Sequence, residues 1–289
     1  MDIPALQAFS TVAEHSSFSE AAERLYLTQP AVSKRVAQLE QDLGVALFDR
    51  IGRKVALTEA GRALLPRARR LLNDAREIRR ALADLSGEVG GRLQMGTSHH
   101  IGLHRLPEPL RRFTREHPQV ELDLRFMDSE EACHAVEIGD LELAIVTLPP
   151  RPLPQLQMQP IWDDPLAFMV AADHPLAWSK PLSLQTLLEH PAVLPSTGTY
   201  TRGILESAVR EQGQSLNIGM ETNYLETLQM LVASGLGWSL LPRTQLNDQV
   251  VELQVKGLKL SRSLGAVTHE KRSLSNAAAA MIAACRSAR

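Results

Sequence analysis

Cysteine is almost missing from this chain, because only Cys133 and Cys285 occur among its 289 residues. Their spacing matches no metal-binding motif, and two such residues argue against a disulfide framework. No run of about 18 uncharged apolar residues occurs, so the sequence predicts no membrane-spanning helix. The first residues, MDIPALQAF, lack the basic start and the long apolar core of a signal peptide, so we expect no export.

Catalytic motifs are lacking too. The sequence contains no Gly-x-Ser-x-Gly elbow, phosphate-binding loop or dinucleotide fingerprint. Gly235 and Gly237 lie between a predicted helix and a predicted strand, which is the wrong order for a nucleotide fingerprint and is typical of a helix C-cap and turn. Methionine and tryptophan are scattered and show no pattern typical of a cofactor site. We therefore predict a protein that is not an enzyme and holds no cofactor.

Positive charge is concentrated in one part of the chain. The whole chain carries a net charge of −2, from 31 basic and 33 acidic residues. Between Arg24 and Arg70, ten Lys or Arg residues stand against four Asp or Glu residues, a local excess of +6. Such a patch attracts phosphates, and the release of counterions makes the attraction depend on salt.

Residues 29–43 have the period of an amphipathic helix. The apolar positions are spaced by four, three and four residues: Val32, Val36, Leu39 and Leu43. The opposite face is small or polar: Gln29, Ser33, Lys34, Ala37 and Gln41. Thr28 is a suitable N-cap, Pro30 fits the first turn, and Gly44 is a natural end of the helix.

Two more helices precede this one. Their packing positions are Leu6, Phe9, Val12 and Ala13 in the first and Ala21, Ala22 and Leu25 in the second. Paired alanines allow the close approach that a helix-turn-helix requires. After Gly44, apolar residues at 47–48 and 55–57 flank a basic, glycine-containing turn, which predicts a two-stranded wing.

The same region carries a longer and more specific pattern. Residues 21–50 read A-A-E-R-L-x-x-x-Q-P-A-V-S-K-x-V-x-x-L-E-x-x-L-G-x-x-L-F-x-R, and T-E-A-G at 58–61 and G-L-G-W-S-L-L-P at 235–242 follow. In these residues the chain closely resembles the LysR-type transcriptional regulators. The resemblance covers nearly the full length and is strongest at the N-terminus.

The resemblance implies a transcriptional regulator that binds double-stranded DNA at an interrupted palindrome near a promoter. Without an export signal, such a protein belongs in the cytoplasm. The resemblance further implies a homodimer or homotetramer, a small-molecule effector and contact with RNA polymerase. The residues it places against bases or phosphates are Thr28, Gln29, Pro30, Ser33 and Lys34 in the helix, and Arg50, Arg53 and Lys54 in the wing.

A regular apolar seam follows the wing. Its positions alternate by four and three residues: Leu64, Ala68, Leu71, Ala75, Ile78, Leu82 and Leu85. A period of about 3.5 residues favours a long coiled-coil linker helix that dimerises, and a helix packed within one domain is the alternative. Thr58 can cap this helix, Pro66 is expected to bend its first turns, and glycines at 87–91 predict a hinge.

From Arg92 onward, strand and helix patterns alternate, which predicts mostly parallel sheets covered on both faces. Strands are expected at 93–96, 120–126, 143–146, 166–172, 192–194, 238–241 and 264–268, and helices at 104–116, 132–138, 201–212, 223–234 and 273–287. Two sheets joined by crossings near 162–164 and 266–268 would form a two-lobed, periplasmic-binding-protein-like domain, as in the sensors of the resembled family.

The predicted fold is therefore α/β with an N-terminal winged helix-turn-helix. The DNA-binding domain spans residues 1–58, the linker helix and hinge span 59–91, and the effector domain spans 92–289. Within the effector domain, lobe 1 comprises about 92–162 and 268–289, and lobe 2 comprises about 163–267.

An effector is expected in the cleft between the lobes, where strand carboxyl ends meet helix N-termini. Hydroxyl and backbone N–H groups at a positive helix end form an anion site, so a small carboxylate is our first expectation. For each single hydroxyl, a role as an N-cap alone is the alternative. The expected contacts are Thr97, Ser98, His99, Ser196, Thr197, Thr199, Tyr200 and Thr201, and the resemblance adds Ser129 and Thr147.

Other chemistry has less support in the sequence. His100 and His104 could share one helix face as metal ligands, but no third ligand stands at a helpful spacing, so we predict no metal site. The peroxide sensors of the resembled family carry a cysteine pair in the second lobe that this chain lacks. The remaining alternative is a solute-binding protein or an enzyme whose N-terminal helices serve only assembly. The first of these needs export and the second needs a catalytic constellation.

Overall fold

The structure is a computed structural model that describes residues 1–51, 54–84, 87–178 and 181–288. The chain forms two compact units, Met1–Ser86 with Ile138–Asp140, and Gly87–Glu137 with Leu141–Arg289. Among the described residues, every helix is too short or too polar to cross a lipid bilayer.

The first unit is a three-helix core with a β-ribbon and a long helix. Its elements are α1 (Ile3–His15), α2 (Phe18–Arg24), α3 (Gln29–Leu43), β1 (Phe48–Ile51), β2 (Lys54–Leu57) and α4 (Glu59–Asp84). The side chain of Asp2 caps α1, that of Ser17 caps α2, and Gly44 ends α3 with a left-handed φ of 70°. The predicted helix-turn-helix and wing are confirmed.

Aromatic rings pack the β1–β2 ribbon against the three-helix core. The ring of Phe48 lies 5.4 Å from that of Phe9 and 5.7 Å from that of Phe18, measured between centroids. The predicted apolar face of α3 is buried up to Leu39, whereas Leu43 at its end is exposed. The core therefore ends one turn earlier than the sequence pattern predicts.

Helix α4 divides the predicted seam between two environments. Ala68 is fully buried in the core of its own unit, together with Leu72, which the seam does not include. Leu71 and Ile78 are exposed instead. The first turns of α4 thus belong to the core of the first unit, whereas Leu71 and Ile78 are accessible to another chain. The side chains of Leu82 and Leu85 lie outside the described residues.

The second unit begins with Gly87. Its strands are β3 (Gly91–Thr97), β4 (Val120–Phe126), β5 (Leu143–Thr147), β6 (Leu156–Ala171), β7 (Ala192–Leu194), β8 (Ile218–Glu221), β9 (Ser239–Pro242), β10 (Val250–Leu253) and β11 (Leu260–His269). Its helices are α5 (His99–His104), α6 (Pro107–Glu116), α7 (Ser129–Ile138), α8 (Leu184–Leu188), α9 (Tyr200–Glu211), α10 (Leu225–Ala233) and α11 (Asn276–Ser287), with 3₁₀ turns at Pro175–Trp178 and Arg243–Gln245.

The main sheet is mixed rather than mostly parallel. Strand β3 pairs in parallel with β4 and β5. The long strands β6 and β11 pair antiparallel with each other, and β6 also pairs antiparallel with β9 and β10. The prediction of mostly parallel sheets is therefore wrong outside β3–β5 and the short β7–β8 pair. The apolar pattern of the sequence did not reveal the antiparallel strands, because the polar run at 163–165 interrupts β6.

Two of the apolar cores of this unit, one in each lobe, show where the strands cross between the lobes. Trp162, Leu264 and Ala266 pack in the first core, whereas Leu166 and Phe168 pack in the second. On β6 the crossing lies where the sequence placed it. On β11 it lies before Leu264, so the crossing predicted at 266–268 is several residues too late.

Two further differences concern helices and short strands. The helix predicted at 104–116 is α6, which begins three residues later at Pro107, and a separate short helix, α5, ends at His104. Strands β8 and β10 and helix α8 were not predicted from the sequence. The predicted strands β4 and β7 are confirmed at the predicted bounds.

Candidate functional site

The first candidate surface is the N-terminal half of α3. A tight turn precedes it, in which Tyr26 adopts a left-handed φ of 53°. Thr28 occupies the predicted N-cap position, yet its side chain makes no capping hydrogen bond to α3. Its hydroxyl group is therefore left to bind something other than its own helix.

The predicted contact residues of α3 share one accessible face. Thr28, Gln29, Pro30 and Lys34 are exposed and Ser33 is half-buried, while the opposite apolar face packs in the core. Gln29 Nε2 donates to Ser33 Oγ over 2.9 Å, which orients the amide along the helix. A helix that presents hydroxyl, amide and ammonium groups suits the major groove of DNA, which admits an α-helix and displays donors and acceptors.

The two acidic residues of α3, Glu40 and Asp42, bond to groups other than Lys34. Glu40 Oε1 accepts hydrogen bonds from the backbone N–H groups of Leu47 (2.7 Å) and Phe48 (3.3 Å). Asp42 pairs with the N-terminal ammonium of Met1 at 2.5 Å. Both acids are thus engaged in the structure of the unit, and Lys34 keeps its charge available for a phosphate.

The wing is present as an antiparallel ribbon, paired from Phe48↔Leu57 to Ile51↔Lys54. The backbone of Arg50 and Lys54 lies beside its tip, as predicted. Arg53 lies outside the described residues, and so do the side chains of Arg50 and Lys54. Their contact with DNA stays a prediction.

The second candidate site is a cavity between the two lobes of the second unit, with a volume of about 60 Å³. Six of the ten predicted effector contacts line it: Ser98, His99, Ser129, Thr147, Thr199 and Thr201. Seven further residues line the cavity but were not predicted as effector contacts: His100, Asp128, Glu130, Pro195, Asn223, Leu225 and Arg262. Asp128 and Glu130 directly follow β4, so the rule of strand carboxyl ends would have found them.

The other four predicted contacts do not line this cavity: Thr97, Ser196, Thr197 and Tyr200. Thr97 is fully buried, and its hydroxyl donates to the carbonyl oxygen of Ile145 over 2.8 Å. Ser196 donates its backbone N–H to Asn223 Oδ1 over 2.9 Å. Thr97 and Ser196 are thus bonded within their own lobes.

Hydrogen bonds across the cavity join the lobes. Asn223 Nδ2 of lobe 2 donates to Asp128 Oδ2 of lobe 1 over 2.6 Å. The backbone N–H of Tyr200, in the first turn of α9, donates to Glu130 Oε1 over 2.5 Å. Burial raises the pKa of Glu130, although the hydrogen bond from Tyr200 opposes this rise. A protein carboxylate therefore already occupies the positive end of α9.

A buried cation forms the base of the cavity at the crossing of the lobes. Arg262 on β11 faces Asp164 on β6, and its Nε donates to Asp164 Oδ2 over 2.8 Å. Its Nη1 donates to Thr201 Oγ1 over 2.8 Å. Burial lowers the pKa of Arg262, while Asp164 acts in the opposite direction. A guanidinium group stays protonated in proteins, so this site offers a fixed positive charge.

The two cysteine thiols have little nucleophilic reactivity. Cys133 and Cys285 are both buried, and burial raises their pKa to about 11 and about 12, respectively. Because the thiolate is the reactive form, neither residue offers a nucleophile near neutral pH.

One group of side chains could hold a metal ion. His100 and His104 on α5 converge with Glu226 on α10, and their ligand atoms all lie within 4.8 Å of one another. Glu226 stands 122 residues after His104. Sequence spacing could not reveal it as the third ligand, because the fold alone brings the two helices together.

Comparisons with known proteins agree with this architecture. Residues 3–62 match the bacterial regulatory helix-turn-helix protein, lysR family, and residues 86–289 match the LysR substrate binding domain. The RuBisCO operon transcriptional regulator of Allochromatium vinosum is 32% identical over 280 residues, which cover 95% of this chain and 92% of that protein.

Two solved structures show the same fold. Full-length OxyR from Pseudomonas aeruginosa superposes with a TM-score of 0.75 at 24% identity, covering 99% of this chain and 95% of that one. Full-length CbnR complexed with its target DNA has a TM-score of 0.68 at 22% identity and covers both chains completely, 100% of each. The chain therefore belongs to the LysR family and is a ligand-responsive, sequence-specific DNA-binding transcriptional regulator, not an enzyme.

Proposed function

We propose that this regulator acts in the cytoplasm, binds an interrupted palindrome near a promoter as a homodimer or homotetramer, and responds to a small carboxylate in the interlobe cavity. The observation that carries the proposal is the pairing of an exposed polar and basic face on α3 with a separate cavity built on the buried guanidinium of Arg262. Contact with RNA polymerase is part of the proposal on the basis of family membership.

The exposed start of α3 supports DNA reading. The hydroxyls of Thr28 and Ser33 and the amide of Gln29 can contact base edges, while Lys34 suits a phosphate. Two copies of this helix, related by a two-fold axis, would lie in successive major grooves, which is the geometry that reads a palindrome.

DNA binding is tested with a double variant of α3. Ser33→Ala with Lys34→Ala removes one hydroxyl and one charge from the accessible face while leaving the core untouched. We expect specific operator affinity in a fluorescence-anisotropy titration to fall at least tenfold, at about 1–3 kcal/mol for a lost specific contact. Lys271→Ala, which removes an exposed lysine from the second unit, is the matched control. Unchanged operator affinity in the double variant would contradict this assignment.

The chemistry of the cavity defines the effector. A carboxylate can accept a hydrogen bond from Nη2 of Arg262, because Nε already donates to Asp164 and Nη1 to Thr201. Asp128 and Glu130 stand opposite and accept hydrogen bonds, so the effector should also carry hydroxyl or amino donors. The volume of about 60 Å³ suits a compact molecule of few heavy atoms. A hydroxy- or amino-carboxylate satisfies all three conditions.

A thermal-shift panel on the full-length protein tests this assignment. It compares simple carboxylates, hydroxy- and amino-carboxylates, and the methyl ester of each acid. A true effector at hundredfold excess over its Kd stabilises the folded state by about 2.7 kcal/mol, or roughly 5 °C and more in melting temperature. We expect shifts only from free acids with donor groups. Shifts of equal size from the methyl esters would contradict a carboxylate effector.

Effector binding would act on DNA through geometry. A ligand that prefers one angle between the lobes shifts the population toward that arrangement. In a dimer or tetramer, the shift would change the spacing of the two reading helices and so the affinity for bent or straight DNA.

A further inference from the structure

Helices α5 and α10 meet beside the effector cavity and bring together two histidines and a glutamate. His104 Nε2 lies 3.2 Å from Glu226 Oε1, and His100 Nδ1 lies 3.5 Å from the same oxygen. The two imidazole rings lie one helical turn apart, tilted by 47° to each other, with centroids separated by 4.6 Å. Among the residues that the structure describes, no other three His, Cys, Asp or Glu side chains converge in this way.

These separations suit a tetrahedral metal ion. Ligands at 2.0–2.1 Å from Zn²⁺ lie about 3.3 Å from one another across a tetrahedral edge. Two of the three pairs therefore already stand at the required separation. The third pair, the two imidazoles, needs only a side-chain rotation, because residues four apart on a helix share a face.

The surroundings provide a neighbouring amide and an opening. Gln245 is buried, and its Nε2 lies 3.3 Å from His100 Nδ1, the nitrogen that would bind the metal ion, so this amide has to turn its oxygen toward the group when an ion binds. On the other side, the side chains of His104 and Glu226 are 43% and 39% exposed. A metal ion can therefore enter from solvent and complete its shell with a water molecule.

We propose that His100, His104 and Glu226 bind a divalent transition-metal ion, Zn²⁺ by their nitrogen and oxygen donors, which clamps the two lobes together at the edge of the effector cavity. The histidines belong to lobe 1 and the glutamate to lobe 2, so a bound ion stabilises the closed arrangement. His100 also lines the effector cavity, so metal and effector binding are coupled through the same closure. The inference goes beyond the proposed function, since a regulator of this design needs no metal.

The test uses the full-length protein after chelation and dialysis. Calorimetric titration with ZnCl₂ should show one ion per chain, and Co²⁺ in its place should give the visible absorption bands of tetrahedral coordination. His104→Ala and Glu226→Gln change partly exposed side chains and should leave the fold intact, which circular dichroism checks. We expect each to weaken Zn²⁺ binding more than the about 10–100-fold that loss of an outer-shell partner costs.

A matched control lies elsewhere on the same lobe. His134 is exposed and pairs with Glu137 at 3.2 Å, a His–Glu contact without a second histidine. His134→Ala should leave Zn²⁺ affinity and the Co²⁺ spectrum unchanged. Equal Zn²⁺ affinity in the wild type, His104→Ala and Glu226→Gln would overturn the site, as would the absence of any Zn²⁺ binding by the wild type. Operator binding measured with and without chelator reports separately on the regulator itself, so failure of the metal site and failure of DNA binding are distinguishable.

Discussion

Glu130 of lobe 1 accepts a hydrogen bond from the backbone N–H of Tyr200, which opens α9 in lobe 2. The protein thus places its own carboxylate at the helix end where an anionic effector would bind. The contact joins the two lobes across the cavity and at the same time occupies the N-terminal end of α9. An effector carboxylate must therefore either displace Glu130 or bind at Arg262 alone.

The raised pKa of Glu130 makes the stability of the folded protein depend on pH. Because burial raises this pKa, folding favours the protonated form, and the stabilisation is lost as pH rises through the raised pKa. In Glu130→Gln the amide stays neutral at every pH. We expect the wild type to gain stability relative to this variant as pH falls from about 8 toward the titration range of carboxylates. Urea unfolding across that range measures the difference.

Glu131→Gln is the matched control for this experiment. Glu131 is the exposed neighbour of Glu130, so its substitution makes the same change of charge at the surface of α7. Its unfolding free energy should follow that of the wild type at each pH. If Glu130→Gln and Glu131→Gln gave the same pH profile, burial of Glu130 would not be the cause.

The stability of the protein should depend on the ion pair between Arg262 and Asp164 at the base of the cavity. Removing one of the two charges should lower the free energy of unfolding much more than removing both. Arg262→Met leaves Asp164, which is 1% exposed, with only the weaker contact to Arg105 at 3.6 Å. We expect a loss of about 3–5 kcal/mol in unfolding free energy, because a buried charge is left uncompensated. The double variant Arg262→Met with Asp164→Leu should recover most of it.

Chemical denaturation of Arg262→Met, Asp164→Leu and the double variant, compared with the wild type, forms a double-mutant cycle that measures the coupling between the two residues. Both proteins that lack Arg262 should also lose the thermal shift caused by a carboxylate effector. A double variant no more stable than Arg262→Met would show that Asp164 is not the group left unpaired.

Local patterns in the sequence were sufficient for the DNA-binding unit. The apolar spacing of α3 and its end at Gly44 each depend on residues a few positions apart, so the pattern and the fold agree. The seam was only partly predicted, because periodicity does not tell whether Ala68 meets its own core or a partner. Its burial in the first unit depends on the close approach of α4 to residue 47, which no local rule reveals.

The cavity between the lobes could be predicted only in part, because many of its contacts join residues far apart in the sequence. Hydroxyls after β3 and before α9 were predicted from strand ends and helix starts, and six of the ten expected residues line the cavity. Arg262 and Glu226 were missed because each reaches its partners across the sheet or between lobes. Strand β6 was predicted only in its second half, since its polar crossing residues Asp163 and Asp164 interrupt the apolar alternation.

The exposed apolar residues of α4 predict self-association. Leu71 is 49% exposed and Ile78 is 63% exposed, one on each of two successive repeats of the seam. Leu71→Glu with Ile78→Glu places charges where a partner helix would pack, and we expect a shift from dimer or tetramer toward monomer at micromolar concentration. Sedimentation velocity measures the shift, and Trp178→Glu, an exposed apolar residue of the second unit, is the control. An unchanged sedimentation coefficient would exclude this face from the interface.

Two glycines on helices should respond in opposite directions to the same substitution. A Cβ at Gly61 in α4 would lie 2.2 Å from the carbonyl oxygen of Leu47, whereas a Cβ at Gly203 in α9 meets nothing within 4 Å. Gly61→Ala must push α4 away from the wing, so we expect a loss of about 1–3 kcal/mol or more and weaker operator binding. Gly203→Ala only removes the entropy that glycine loses in a helix, so we expect a gain of about 0.5–1 kcal/mol. Urea unfolding followed by circular dichroism, with an operator titration for each variant, checks both signs. If Gly61→Ala were as stable as the wild type, α4 would not lie against the wing as closely as the structure has it.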